Sequence, residues 1–149
     1  MNRRTLLTGL LALPLSARAA LAAAPEVTVF KTPTCGCCSA WVTHMEQAGF
    51  AVVTRDVAQE VLWSLKARAG LSPELGSCHT AFVEGYVVEG HVPAADVRRL
   101  LADRPEARGL TVPGMPIGSP GMEMGDQRDA YETLLVLLDG GTTVFARHG

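Results

Sequence analysis

Three of the chain's four cysteines, Cys35, Cys37 and Cys38, crowd into the run TPTCGCCSAW, and the fourth, Cys78, stands far downstream in LGSCHTA. Thiols at that density support three chemistries. The first is structural bridging, the common fate of cysteines outside the cytoplasm. Neighbouring Cys37 and Cys38 cannot bridge each other without straining the peptide between them, so a bridge is either Cys35–Cys38 or one that involves Cys78. The two bridges Cys35–Cys38 and Cys37–Cys78 together are one such set, as in a metal-free, oxidised form. Staples usually close long loops between distant segments, however, which a tight cluster does not do. The second chemistry is thiol redox. Cys35 and Cys38 form a C-x-x-C, and a helix starting there favours the thiolate. Cys37 lies between that pair and would divert its mixed disulfides. The third is a soft metal site. Cu(I) prefers thiolate and thioether ligands. Successive residues at a helix start diverge by about 100°, which suits sulfurs that bridge several Cu(I) ions better than four ligands on one zinc. Zinc's two separate C-x-x-C knuckles are absent. Copper is therefore the favoured ion, with a structural zinc domain and a metal-free thiol–disulfide enzyme as rivals.

Other soft or nitrogen donors are candidates for an accessory role. Met115, Met122 and Met124 share the Pro/Gly-braced run VPGMPIGSPGMEMG. Each serves as well as a flexible apolar anchor, and Met122 and Met124 point to opposite sides if that run is extended. His79 follows Cys78 and is a ligand, a support to a ligand or a plain hydrogen-bonding residue. His91 stands at a strand end before Pro93, structural by default and otherwise a second copper position. His44 lies two helical turns beyond Cys37, roughly 10 Å away, and reads as a surface histidine. His148, near the end of the chain, reads as solvated.

The elements that must position these residues follow from apolar periodicity and turn residues. VTVFK (Val27 to Lys31) is a β-branched strand, and SAWVTHMEQAGF a helix with Trp41, Val42 and Met45 on its apolar side and Gly49 as its stop. AVVTRDV is a second strand. AQEVLWSLKARAG is a second helix, with Val61, Leu62 and Leu65 inward. TAFVEGYVVEGHV reads as two strands turning at Glu84-Gly85. PAADVRRLLADR is a third helix, with Pro93 near its first turn. The run PEARGLTVPGMPIGSPGMEMGD is too rich in Pro and Gly for regular structure and reads as a long ordered loop. YETLLVLLDGGTTVFARH closes the chain as a hairpin around Asp139-Gly140-Gly141.

Strand, helix, strand, helix, hairpin, helix is the order of an α/β, thioredoxin-like mixed sheet with flanking helices, here carrying a Pro/Gly/Met-rich loop and a C-terminal β-hairpin. A right-handed crossover makes the first two strands parallel. The loop entering the hairpin then lies beside the first helix's N-terminus, and Cys78 meets the other three cysteines. Redox members of such a fold usually place a proline where this chain has Ser77-Cys78, and Pro73 is too far upstream to serve.

The N-terminal run MNRRTLLTGLLALPLSARAALAAAPE has a basic start at Arg3-Arg4, a short apolar stretch and an Ala-x-Ala site. That is the layout of a bacterial export signal covering residues 1–22, by the twin-arginine or the general secretory route. Residues 23–149 are then a single domain. Without Arg3, Arg4 and Arg18 the chain keeps 10 Lys+Arg against 15 Asp+Glu, a net charge of −5. An acidic chain without a basic cluster argues against nucleic acid or anionic lipid as partner, and the mature form has no membrane span.

The blocks TPTCGCCSAW, SCHTAFVEGYVVEGHVPAADVRRLL and GLTVPGMPIGSPGME together resemble the CopG-like periplasmic copper-resistance proteins, a metal-binding family formerly grouped as a domain of unknown function. The resemblance covers essentially the whole mature chain. It implies a thioredoxin-like fold, export to the periplasm, and copper handling in copper or silver resistance; periplasmic copper-delivery or efflux proteins are candidate partners of a protein with that role. By position it places Cys35, Cys37, Cys38 and Cys78 in the family's cysteine pattern, and His91 and Met115 in its GHVPA and VPGMP blocks. The expectation is a protein that sequesters Cu(I), several ions per chain, rather than an enzyme. Coupled copper and thiol redox change would extend it to an oxidoreductase.

Overall fold

The computed structural model describes residues 23–149; the expected export signal, residues 1–22, lies outside the described residues. Strand β1 (Glu26–Lys31) leads into helix α1 (Gly36–Gln47), followed by β2 (Ala51–Asp56) and helix α2 (Gln59–Arg68). A short 3-10 turn at Pro73–Leu75 precedes the hairpin β3 (Thr80–Val83) and β4 (Tyr86–Glu89), then come helix α3 (Ala94–Asp103) and strands β5 (Ala107–Thr111), β6 (Tyr131–Leu137) and β7 (Thr142–His148). All seven strands form one mixed sheet in the order β2-β1-β3-β4-β5-β6-β7. β1 and β2 are parallel, as are β4 and β5, and the other neighbours are antiparallel. No helix among the described residues is long and apolar enough to cross a membrane.

The core divides across the sheet because side chains alternate faces along a strand. Val27, Val29, Ala81, Val83, Val88 and Leu110 pack with Trp41 and Met45 of α1 and with Val97 and Leu100 of α3. A smaller cluster of Leu71, Leu75, Val87 and Val136 fills the space under the segment after α2. In α2, Leu62 is buried, but Val61 is 45% exposed rather than inward, because the helix leans on the sheet along its Leu62 line.

The β3–β4 turn has positive φ at both Glu84 (46°) and Gly85 (89°), the backbone of a two-residue hairpin whose twist matches its strands. It fixes the register Thr80↔Glu89 through Val83↔Tyr86. One expectation needs correction: the stretch from Pro105 to Asp126 is not all loop, because Ala107–Thr111 inserts as β5 between β4 and β6. Gly109 permits this. A Cβ there would sit 1.8 Å from the Val87 carbonyl oxygen, so the residue that argued against a strand allows two backbones to approach.

Candidate metal centre

The four cysteines meet because two chain crossings come to one sheet end. β1 ends into Thr32–Thr34 and α1, with Cys35 as the residue just before the helix. β1 runs antiparallel to β3 with Phe30 opposite Thr80, so the residues preceding Thr80 lie beside the start of α1. Each of the four cysteines offers an Sγ within 4.8 Å of the others. Cys35 and Cys38 are joined as a disulfide with Cα atoms 5.3 Å apart, and Cys37 and Cys78 are free thiols. Cys37 Sγ lies 3.6 Å from Cys35 Sγ and 3.7 Å from Cys78 Sγ. The divergence expected of Cys37 and Cys38 is thus smaller than the helical rotation suggests, and sulfur spacing by itself leaves room for a single four-coordinate ion.

Nitrogen donors stand on the inner side of this sulfur group. Cys78, His79 and His91 form a second set of ligand atoms within 4.8 Å of one another. His91 Nε2 is 3.1 Å from Cys78 Sγ, and its Nδ1 is 2.8 Å from the Pro120 carbonyl oxygen. A carbonyl only accepts, so Nδ1 carries the hydrogen and Nε2 presents its lone pair toward the sulfur, the arrangement usual for a metal-ligating imidazole. Burial holds the pKa of both His79 and His91 below the ordinary histidine value, His79 the more strongly, which keeps both rings neutral. His79 Nδ1 faces Cys78 Sγ at 3.4 Å, whereas its Nε2 is buried without a partner. The Trp41 ring closes the floor, 4.5 Å from the His79 ring, and donates its Nε1 hydrogen to the Val92 carbonyl. Burial first, then the nearby Cys37, pushes the Cys78 thiol up to about 12.

The loop carrying the methionines is pinned to this site at two points. The Gly114 amide donates to the Gly76 carbonyl, and Ser77 Oγ donates to the Gly114 carbonyl, which fixes the backbone before Met115 beside the Cys78 loop. At Gly121 a Cβ would lie 2.7 Å from the Cys37 carbonyl oxygen and 2.8 Å from the Trp41 nitrogen. Only glycine lets the loop press on α1 there, with Met122 next in sequence. Met122 is half-buried, while Met115 and Met124 are 52% and 58% exposed.

Two histidines depart from expectation. His44 is not a free surface residue: its Nε2 accepts the Ala94 amide hydrogen at 3.0 Å, where α3 starts with an unsatisfied N–H. His148 is not solvated. Its Nε2 lies 3.0 Å from Asp96 Oδ2, and its ring stacks on Tyr131 at 4.7 Å. His91, by default a structural residue in the sequence, stands against Cys78, and the hairpin register would have found it. Continuing the Thr80↔Glu89 pairing by two residues sets His91 opposite Cys78. A buried brace behind Cys78 carried no sequence signal. Glu89 accepts the Ser77 amide hydrogen at 2.6 Å and the Thr80 hydroxyl at 2.7 Å, and it pairs with Lys66.

The matching family model, described as a protein of unknown function, DUF411, covers residues 75–122, the segment that holds Cys78, His79, His91, Met115 and Met122. No curated protein matches the chain. Two solved structures of a copper resistance protein, CopG, are similar to it. Form 2 is 42% identical with a TM-score of 0.79, over 85% of this chain and 99% of that one. Form 1 is 43% identical with a TM-score of 0.77, over 83% and 96%. At that identity and coverage, the chain belongs to the CopG-like copper-resistance family.

Proposed function

We propose that this chain is an exported copper-binding protein of copper, and also silver, resistance, holding Cu(I) through Cys35, Cys37, Cys38 and Cys78. The observation that carries the reading is the convergence of four sulfurs from two remote segments within 4.8 Å of one another, in a chain whose solved relatives are copper resistance proteins. Thiolates suit a soft monovalent ion, and their ability to bridge suits several ions in one sulfur cluster. His91, with His79 behind it, adds nitrogen donors. Met122 is the methionine best placed to add a thioether, because its neighbour Gly121 rests on α1. Holding Cu(I) there keeps it from oxygen chemistry and from displacing other metals. The seat is a single thioredoxin-like domain spanning residues 23–149, made with an export signal at residues 1–22, working in the periplasm and exchanging copper with delivery or efflux proteins.

In the bridged form Cys35 and Cys38 offer no thiolate. Loading therefore follows a two-electron, two-proton reduction of that disulfide by an external dithiol. The same bridge supports a second reading, a thiol–disulfide oxidoreductase working through Cys35 and Cys38 at the start of α1. A structural zinc site is a third.

Anaerobic titration of fully reduced protein with Cu(I) against a strong chelator separates them. Retention of more than one copper per chain is the expected result. Insulin reduction without copper uptake would favour the oxidoreductase. A single tightly held zinc whose removal unfolds the protein would favour the structural site.

A further inference from the structure

The sulfurs form a chain of contacts rather than two separate pairs. Cys38 is bonded to Cys35; Cys35 Sγ touches Cys37 Sγ at 3.6 Å; Cys37 Sγ touches Cys78 Sγ at 3.7 Å. Sulfurs in contact beside a disulfide are within reach of thiolate attack once a side-chain rotation brings the attacking and leaving sulfurs into line. We propose that the protein carries out an internal thiol–disulfide exchange that walks its bridge from Cys35–Cys38 to Cys37–Cys78, with Cys37 as the relay.

In the first step the Cys37 thiolate attacks Cys35 Sγ. A Cys35–Cys37 bond forms, the Cys35–Cys38 bond breaks, and the electron pair leaves on Cys38. In the second step the Cys78 thiolate attacks Cys37 Sγ. The Cys37–Cys78 bond forms, the Cys35–Cys37 bond breaks, and the electron pair leaves on Cys35. The protons released by Cys37 and Cys78 end on Cys38 and Cys35. One disulfide and two thiols are present throughout, so no oxidant or reductant is consumed.

Local structure suits the ring closure of the first step and the leaving group of the second. Gly36, the residue inside the small Cys35–Cys37 ring, has open space where a Cβ would stand, and its backbone freedom lets that ring close. The departing Cys35 thiolate sits just before the first turn of α1, where the helix dipole favours negative charge. The final bridge spans 41 positions, against 3 for the first, so it constrains the unfolded chain far more. The walk ends with a free dithiol, Cys35 and Cys38, at the start of α1. It requires no metal and stands apart from the copper reading.

Metal-free protein, stripped with chelator and oxidised under argon to one disulfide per chain, tests this. Samples are acid-quenched over time, blocked with N-ethylmaleimide and digested with trypsin. Cleavage after Lys31, Arg55, Arg68 and Arg98 leaves Cys35, Cys37 and Cys38 on one peptide and Cys78 on another. A linked pair of those peptides from monomeric protein therefore reports a bridged Cys78. The linked pair is expected to grow at constant free thiol, and Cys37→Ser, checked as folded by circular dichroism, should slow it by at least about tenfold. A linked pair that never forms in the wild type overturns the proposal, as does one that grows equally fast in Cys37→Ser.

Discussion

Cys78 is a poor thiolate by its surroundings: burial and the sulfur of Cys37 raise its pKa to about 12. Any ion that takes this sulfur must displace a proton, so metal affinity should climb with pH. In metal-free protein with the Cys35–Cys38 bridge intact, the initial rate of iodoacetamide labelling at Cys78 is expected to rise about tenfold per pH unit from about pH 8 to about pH 10 without levelling. A plateau inside that window would mean an ordinary thiol. His91 is the second residue with a sharp expectation. Replacing it with Ala should weaken Cu(I) retention by about 10–100-fold in chelator competition while leaving four thiols titratable; unchanged retention would return it to a purely structural role. At this scale the cluster of Cys35, Cys37 and Cys38 was legible as a candidate from type and spacing, and Cys78 joined it only through topology. His91 and His44 were not, because what decides them is the partner across a strand or at a helix start, and neither partner is near in sequence.

Positioning of Cys78 belongs to the elements. The Glu89 carboxylate, fully buried on β4, binds Lys66 of α2, the Thr80 hydroxyl of β3 and the Ser77 amide. It thereby ties three elements to the residue before Cys78. Glu89→Ala would leave the Lys66 ammonium, mostly buried, without its counter-charge, a loss of about 3–5 kcal/mol for a broken buried pair. Chemical denaturation should show that drop, whereas a change below about 1 kcal/mol would place the pair among weak surface bridges. Most elements could be read from apolar periodicity and turns, including the hairpin at Glu84-Gly85 and the closing pair β6 and β7. β5 could not. It is a short segment inside a Pro/Gly-rich run that reads as loop, and the close approach of Gly109 to Val87 is what admits it to the sheet. Val61 was misplaced for a related reason: three adjacent apolar residues in a helix do not say which one faces the sheet.

Across the whole molecule, acid should loosen the fold. His44, His79 and His91 all have pKa values lowered by burial from the usual 6.5. A group depressed in the folded state binds protons more readily when unfolded, so its stability contribution is full above 6.5 and is lost as pH falls toward the folded values. Glu89, raised by burial, works in the opposite sense over the window above 4.5. The thermal midpoint of metal-free protein should therefore fall as pH drops below 6.5, and His44→Gln should flatten the descent; a midpoint that rises over that range would contradict it. The topology that unites the two cysteine segments was legible from element order. The interlock of the methionine loop with α1 was not, since it rests on one glycine's missing Cβ. The most direct test of the account is the copper retained by Cys78→Ser after anaerobic Cu(I) loading and chelator challenge, with circular dichroism as the check on folding. A folded protein that keeps less than about half of the wild-type copper is expected, and a folded variant with undiminished copper would contradict a copper site that includes Cys78.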